Sequence, residues 1–260
     1  MPSTTEMAAA LRHAAQTGIA VQPLAASLPA ASIDLAYDVQ NANTEHALAA
    51  GRRLTGRKIG LTSLAVQKQL GVSEPDFGML FADMEVLDGE EVAAGRLLQP
   101  RVEAEVAFVL KSRIEHPDCG VPDLIAATDY VLPAIEIVDS RIADWKISIF
   151  DTVADNASSG LYVLGNTPRR LDDVDLKLCG MVLDKNGVPS SFGVGAACLG
   201  HPVNAVVWLA RRMAQLGRPL EAGDVVLSGA LGPMVSVGPG DVIDTTIDGL
   251  GTVSVRFAGA

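Results

Sequence analysis

Residues 100–108, PRVEAEVAF, combine the pattern of a buried β-strand with two carboxylates, Glu103 and Glu105, placed two positions apart. Alternate side chains of a strand point to opposite faces, so the two carboxylates share one face. That face becomes apolar at the following alternate positions, which predicts that it looks into the interior. A third carboxylate, Glu136, interrupts the apolar segment YVLPAIEIV, which has the same pattern of a buried strand.

Three carboxylates that converge in an interior repel one another. At an effective dielectric constant near 20 and a separation of ~5 Å, each pair costs about 3 kcal/mol. The group must therefore be protonated, paired with cations or neutralised by a metal ion, and a site with oxygen ligands alone favours Mg²⁺ or Mn²⁺ over zinc. The spacing also allows a second interpretation, in which Glu103 and Glu105 lie on a solvated face and Glu136 pairs with an arginine such as Arg141.

Lys58 and Asp76 are candidates for proton transfer. Lys58 lies in an extended segment, GRKIGL, among glycines and apolar residues, and Asp76 follows Pro75. Burial would lower the pKa of such a lysine and suit it to proton transfer or to the binding of a carboxylate. Taken alone, the fragment favours an ordinary exposed lysine whose stem packs on the surface.

The elements that position these residues fall into two segments. Residues 1–85 are mostly helical: 4–17 form a helix ended by Gly18, a second helix begins at Ser32 and ends at Gly51, and a short third helix, LAVQKQL, ends at Gly71. The residues between the second and third helices, RRLTGRKIGL, have an extended pattern.

Residues 86–260 have the apolar alternation and turn signals of strands, and we expect this part to hold the metal site. One amphipathic helix, with Pro202 in its first turn and Gly217 at its end, interrupts them. Strands and helices do not alternate, which argues against a doubly wound sheet. We therefore predict an α+β fold with a mixed, mainly antiparallel β-roll or barrel core behind a helical N-terminal segment. The predicted strands are 102–111, 131–138, 161–164, 174–183, 224–228, 241–247 and 252–257.

The composition excludes several classes of protein. A chain of 260 residues, 48% hydrophobic and 20% charged, is typical of a soluble globular protein, and its formal charge of −11 argues against nucleic acid as a partner. The sequence contains no apolar run near the ~18 residues of a membrane span, and its N-terminus lacks the pattern of a secretory signal. Three scattered cysteines predict a cytoplasmic protein without a disulfide framework.

Several long motifs resemble those of the 2-keto-4-pentenoate hydratases, a family of the fumarylacetoacetate-hydrolase-like superfamily. The resemblance covers roughly residues 30–257 and implies a β-roll or barrel with a divalent metal ion, Mg²⁺ or Mn²⁺. It implies metal ligation by Glu103, Glu105 and Glu136, active-site roles for Lys58 and Asp76, and a substrate contact from Ser159. The motifs are, in order, GRKIGLTS…VQKQLGVSEPDFGMLFADM, PRVEAEVAFVL, LPAIEIVDSRI, DTVADNASSG and GHPVNAVVWLA…LSGALGPMVSVGPGD.

The reaction that the resemblance implies is the hydration of 2-hydroxypenta-2,4-dienoate to 4-hydroxy-2-oxopentanoate in catechol meta-cleavage. The metal would chelate the substrate, an unsaturated 2-keto acid, through its carboxylate and C2 oxygen. Lys58 and Asp76 would share the acid–base work. Leu80 and Phe81 would form an apolar wall around a short tail, which predicts a preference for the five-carbon monoacid over a seven-carbon dioate.

Other activities use the same centre. A decarboxylase of the 4-oxalocrotonate type would release carbon dioxide from a similar substrate, whereas a C–C hydrolase commonly needs a histidine, and none falls in the motifs that carry the predicted site residues. The chain could also be a non-catalytic partner of a decarboxylase, although all five charged site residues are present. We expect the chain to form a homo-oligomer. A complex with a decarboxylase or aldolase of the same pathway is also possible.

Overall fold

The structure is a computed structural model that describes residues 2–70 and 72–259. It confirms the α+β class and the mixed, mainly antiparallel core. The α-helices are α1 (Thr4–Thr17), α2 (Ile33–Ala49), α3 (Leu64–Leu70), α4 (Val121–Ala127), α5 (Ile149–Ala154) and α6 (Pro202–Gln215).

The N-terminal helices begin and end where the sequence predicts. The Ser3 hydroxyl caps α1 in a reciprocal capping box, and Gly18 ends the helix at a φ of 71°. The Ser32 side chain caps α2. The predicted end of α3 at Gly71 lies outside the described residues.

The main sheet has eight strands, and it curls into a half-barrel. Along the sheet their order is β2, β1, β10, β5, β6, β7 and β3, with β11 paired beside β5. Four steps separate β1 from β7, yet Thr55 Oγ1 on β1 lies 3.3 Å from the Tyr162 hydroxyl on β7, so the sheet must curl strongly. The strands are β1 (Leu54–Gly60), β2 (Asp76–Phe81), β3 (Glu85–Leu87), β5 (Pro100–Leu110), β6 (Thr128–Asp139), β7 (Ser159–Leu164), β10 (Val225–Leu227) and β11 (Val235–Ser236).

A second sheet of five strands packs beside the first, in the order β4, β13, β12, β8 and β9. The apolar face of α6 is buried, and the helix contributes Val206, Leu209 and Met213 to the core shared with both sheets. The strands are β4 (Glu91–Val92), β8 (Gly180–Lys185), β9 (Val188–Val194), β12 (Val242–Ile247) and β13 (Gly251–Phe257).

One predicted strand begins too early. Residues 174–179 form turns, and β8 begins only at Gly180, because the Asp175 side chain accepts hydrogen bonds from the backbone N–H groups of Lys177 and Leu178. Such a local bond competes with strand pairing. The main sheet also takes β1 and β2 from before residue 86, and the division of the chain at residue 85 stays a prediction. Each helix in the described part is too short or too polar to cross a membrane.

Candidate metal centre

The antiparallel pairing of β5 and β6 brings the three glutamates together. Glu103 lies directly opposite Glu136, and Glu105 lies on the same face of β5 two positions further on. One carboxylate oxygen from each residue lies within 4.8 Å of the other two. Glu105 and Glu136 are buried, whereas Glu103 is partly exposed, so the cluster opens to solvent on the Glu103 side.

The carboxylate oxygens of this cluster have few partners. The Gly229 N–H donates to Glu105 Oε2 over 2.8 Å, and the Lys58 ammonium lies 2.9 Å from Glu136 Oε1, but Glu105 Oε1 and Glu136 Oε2 are buried without a partner. Burial, with the charge of Glu136, raises the pKa of Glu103 to about 7 and holds the pKa of Glu105 well above its ordinary value. Unpartnered buried carboxylate oxygens are costly unless a cation meets them, so the residues fit a hard divalent ion.

The alternative interpretation of a solvated strand face is wrong. The exposed fractions of Glu105 and Glu136 are 0% and 1%. Arg141, the suggested partner of Glu136, instead bonds Asp155, with 2.6 Å between Arg141 Nε and Asp155 Oδ1. The glutamates therefore face an interior, as the apolar continuation of their strand indicated.

Lys58 lies inside the cluster and not on the surface. Its Nζ is 2.9 Å from Glu136 Oε1, and its side chain is 4% exposed. Burial alone would lower the pKa of Lys58, but the charges of Glu136, Asp76 and the other two glutamates outweigh burial and raise that pKa above its ordinary value. The prediction of a lowered pKa is wrong, because the sequence could not show how many carboxylates surround the amine.

Asp76 joins the same face through the pairing of β1 with β2. Gly60 lies opposite Asp76, and Lys58 lies opposite Gly78, so all four positions point to one side of the sheet. Asp76 is 2% exposed, neither of its carboxylate oxygens has a hydrogen bond, and burial raises its pKa to about 6. A Cβ added at Gly60 would lie 2.1 Å from Asp76 Oδ1, so only glycine fits there with the carboxylate in this position.

The predicted substrate contacts are only partly brought to this face. Leu80 is fully buried on the same face of β2 as Asp76. Phe81 lies on the opposite face, where the guanidinium of Arg52 lies 4.3 Å from the centre of its ring. The hydroxyl of Ser159 donates to the Asn156 carbonyl over 2.8 Å, whereas the hydroxyl of its neighbour Ser158 is buried without a hydrogen bond.

Side chains from outside the sheet hold β2, which is an edge strand. The Met79 N–H donates to Asn156 Oδ1 over 2.7 Å, and Asn156 Nδ2 donates to the Met79 carbonyl over 2.9 Å. Gln40 Nε2 donates to the Phe77 carbonyl over 2.9 Å. Residues 156–158 have φ values of 55°, 51° and 54°, a left-handed conformation that side chains rarely adopt. Asn156 belongs to the motif DTVADNASSG, but nothing in that motif indicated this arrangement, which fixes the strand that carries Asp76.

Known proteins match this chain over nearly its whole length. Residues 37–258 match the family model described as fumarylacetoacetate (FAA) hydrolase C-terminal. The chain is 59% identical over 250 residues to the TodF product hydratase of Pseudomonas putida F1, covering 96% of this chain and 93% of that protein. It is 59% identical over 256 residues to 2-keto-4-pentenoate hydratase 1 of Dechloromonas aromatica RCB, covering 98% of this chain and 97% of that protein.

A solved structure with a similar fold is that of 4-oxalocrotonate decarboxylase from Pseudomonas putida G7, complexed with magnesium and adipate. The TM-score is 0.94 at 37% sequence identity, and the alignment covers 98% of this chain and 97% of the decarboxylase. These matches confirm the resemblance that the motifs carry, and the aligned region includes the N-terminal helices as well as both sheets.

Proposed function

The chain belongs to the fumarylacetoacetate hydrolase family, and we propose that it is a metal-dependent hydratase in the meta-cleavage catabolism of aromatic compounds. The reaction is the conversion of 2-hydroxypenta-2,4-dienoate to 4-hydroxy-2-oxopentanoate. The observation that carries the proposal is the buried cluster of Glu103, Glu105 and Glu136 beside Lys58 and Asp76. The hydratases that are 59% identical support hydration over decarboxylation, the activity of a relative that is only 37% identical.

The reaction is a series of proton transfers along a short carbon chain. C5 gains a proton as the C2 hydroxyl loses one, and water then adds to the enone, with its oxygen at C4 and a proton at C3. A divalent ion held by Glu103, Glu105 and Glu136 would supply a Lewis acid at the C2 oxygen. The remaining work requires groups that can move protons close to C3, C4 and C5.

Asp76 and Lys58 divide this work in our proposal. With a pKa of about 6, Asp76 can hold or release a proton near neutral pH, and its two unpartnered oxygens are free to bond a water molecule or the substrate. Lys58 stays protonated because of the carboxylates around it, so it acts as a fixed hydrogen-bond donor and not as a base. Leu80 supplies an apolar contact on the same face. Ser159 keeps its predicted substrate contact in this proposal, whereas Phe81 lies on the opposite face of β2 from Asp76 and is not assigned one.

We also propose a cytoplasmic homo-oligomer that can associate with a decarboxylase or aldolase of the same pathway. All three cysteines are buried and free, which is typical of a reducing compartment. Leu178, Val188 and Phe192 are 66%, 62% and 64% exposed near the edge strand β9, and a second chain would cover such a surface. Light scattering on a sizing column measures the assembly, and a monomeric active species would contradict it.

The assay that tests the function uses metal-loaded protein and freshly generated dienol. We expect the absorbance of the dienol to disappear with this chain alone, and NMR to identify 4-hydroxy-2-oxopentanoate. Release of carbon dioxide from 4-oxalocrotonate without hydration of the dienol would instead assign a decarboxylase. A chain that is inactive until a partner enzyme is added would be a non-catalytic subunit.

A further inference from the structure

We propose that Arg101 binds the carboxylate of the substrate at the mouth of the metal centre, so that the carbon chain of the substrate points inward to Lys58 and Asp76. This inference rests on the proposed function and adds a residue that the sequence motifs did not single out. It also fixes the direction in which the substrate lies.

Arg101 lies on the same face of β5 as the metal cluster. It precedes Glu103 by two residues, so their side chains point to the same side of the strand, with their Cα atoms ~7 Å apart. The charge of Arg101 acts to lower the pKa of Glu103, as expected when the guanidinium and the carboxylate lie close together. Both residues are partly exposed, so Arg101 lies at the open side of the cluster.

The guanidinium of Arg101 is held in place without a carboxylate partner. Its central carbon lies 4.4 Å from the centre of the Trp145 ring, and Nη1 lies 3.4 Å from Met234 Sδ. The ring is itself fixed, because Trp145 Nε1 donates to the Gln99 carbonyl over 3.0 Å. In the described part of the chain, no carboxylate lies within ion-pair distance of Arg101.

Two other buried or half-buried arginines contrast with Arg101. Arg57 is paired with Asp224 at 2.9 Å, and Arg141 is paired with Asp155 at 2.6 Å. The charge of each is therefore already paired with a carboxylate. Arg101 stacks on an aromatic ring and leaves the edge of its guanidinium available, and that edge matches the two oxygens of a carboxylate.

The charge of the centre explains why an anionic substrate needs such a residue. Four carboxylates face one lysine, and a divalent ion would still leave one net negative charge when all four are ionised. This negative charge would repel the carboxylate of an entering substrate. Arg101 is the cation on the same strand face that can offset it, and binding in this partly exposed position avoids the cost of a deeply buried ion pair.

The depth of the remaining groups sets the orientation. Lys58 and Asp76 are 3% and 2% exposed, so the carboxyl that moves protons and the ammonium that assists it both lie at the closed end of the centre. The carbons that gain or lose protons, C3 to C5, must reach that end. The carboxylate at C1 must then face the mouth, where Arg101 lies. A cavity of about 420 Å³ between the two sheets is lined by Arg101 and Trp145 and gives solvent access to the guanidinium, although none of the metal-centre residues lines it.

The test measures binding and does not require turnover. The probe is 2-oxopentanoate, a saturated analogue, added to Mn²⁺-loaded protein in a calorimeter. Arg101→Gln should raise the dissociation constant by about tenfold or more, because a charged hydrogen-bonding partner is lost, and Arg101→Lys should restore part of the affinity. The affinity for Mn²⁺ should change little. In kinetics, Arg101→Gln should raise KM more than it lowers kcat.

Two controls separate a direct contact from a general loss of charge. Lys146→Gln removes a neighbouring positive charge that is paired with Asp144 at 3.0 Å and is 68% exposed, and it should leave the dissociation constant unchanged. Pentane-2,3-dione, which lacks the carboxylate, should bind equally weakly to the wild type and to Arg101→Gln.

Three results would overturn the inference. They are a dissociation constant for Arg101→Gln within twofold of the wild type, an equal effect of Lys146→Gln, and no binding of 2-oxopentanoate to the Mn²⁺-loaded wild type. If binding depends on Arg101 but the dienol is not hydrated, the proposed function fails and the carboxylate site stands.

Discussion

A substitution at Gly60 tests the position of the Asp76 carboxylate without replacing either Lys58 or Asp76. The variant Gly60→Ala places a methyl group 2.1 Å from Asp76 Oδ1 and 3.2 Å from Asp76 Cγ. The φ of Gly60 lies outside the left-handed region, so the backbone accepts alanine there. The carboxylate must therefore move away, while the glutamates on β5 and β6 stay where they are.

The size of the movement follows from the contact distances. Ordinary contact begins near 3.4 Å, so the 2.1 Å approach requires a shift of 1.3 Å if Asp76 alone gives way (3.4 minus 2.1). A misplacement of about 1 Å costs a catalytic group roughly 10²-fold in rate. We expect kcat to fall by about that factor, with the affinity for Mn²⁺ nearly unchanged, because the three atoms nearest the new methyl group all belong to Asp76.

Steady-state kinetics and calorimetry on the purified variant measure both quantities. Gly180→Ala is the matched control, since a Cβ there meets nothing within 4 Å, and its kcat should equal that of the wild type. In an Asp76→Asn background, Gly60→Ala should add little further loss, because the two changes act on one carboxylate. A folded Gly60→Ala protein with wild-type kcat would refute the placement of Asp76 in the reaction.

Three other measurements test the same centre. Lys58→Met should cut turnover by ~10²-fold or more, as for other groups that assist proton transfer, and near-normal kinetics in a folded variant would exclude Lys58 from the chemistry. Because burial raises the pKa of Glu103 from 4.5 to about 7, the metal-free protein should lose stability as the pH rises from about 4.5 to about 7. Thermal unfolding curves measure this loss, and Mn²⁺ should remove it. A stability of the metal-free protein that does not change with pH would contradict the raised pKa. The five-carbon dienol should exceed the seven-carbon dioate by about tenfold or more in kcat/KM, equivalent to ~1.4 kcal/mol, since a distal carboxylate would meet Asp76 and Leu80 at the closed end. Equal values would show that a further cation, beyond Lys58, lies there.

The strands that carry the metal cluster could be predicted because buried strands consist mostly of apolar residues, which the sequence shows directly. The apolar residues around Glu103, Glu105 and Glu136 gave the strands and the face. The pairing of Glu103 with Glu136 could not be predicted from the residues alone, because register is set by packing between segments that are 33 residues apart (136 minus 103). The long motifs supplied that link through the resemblance.

The features of the fold and of the site that could not be predicted from the sequence depend on contacts between distant residues or on strands buried on both faces. All six residues of β2 are buried, so its sequence, DFGMLF, has no alternation to indicate a strand. The sign of the pKa shift at Lys58 depends on four carboxylates from three other strands. Arg101 gave no signal, because its partner Trp145 lies 44 positions further along the chain (145 minus 101).

The most direct test of the account is the affinity of the protein for Mn²⁺ when one ligand loses its charge but keeps its volume. Glu105→Gln changes a fully buried residue whose Oε1 has no partner, and Glu115→Gln, at a side chain that is 55% exposed, is the control. Electron paramagnetic resonance titration should show Mn²⁺ affinity reduced by about tenfold or more in Glu105→Gln, with loss of turnover and an unchanged fold, and no change in Glu115→Gln. Wild-type Mn²⁺ affinity in Glu105→Gln, or full turnover by metal-stripped wild type, would contradict the account.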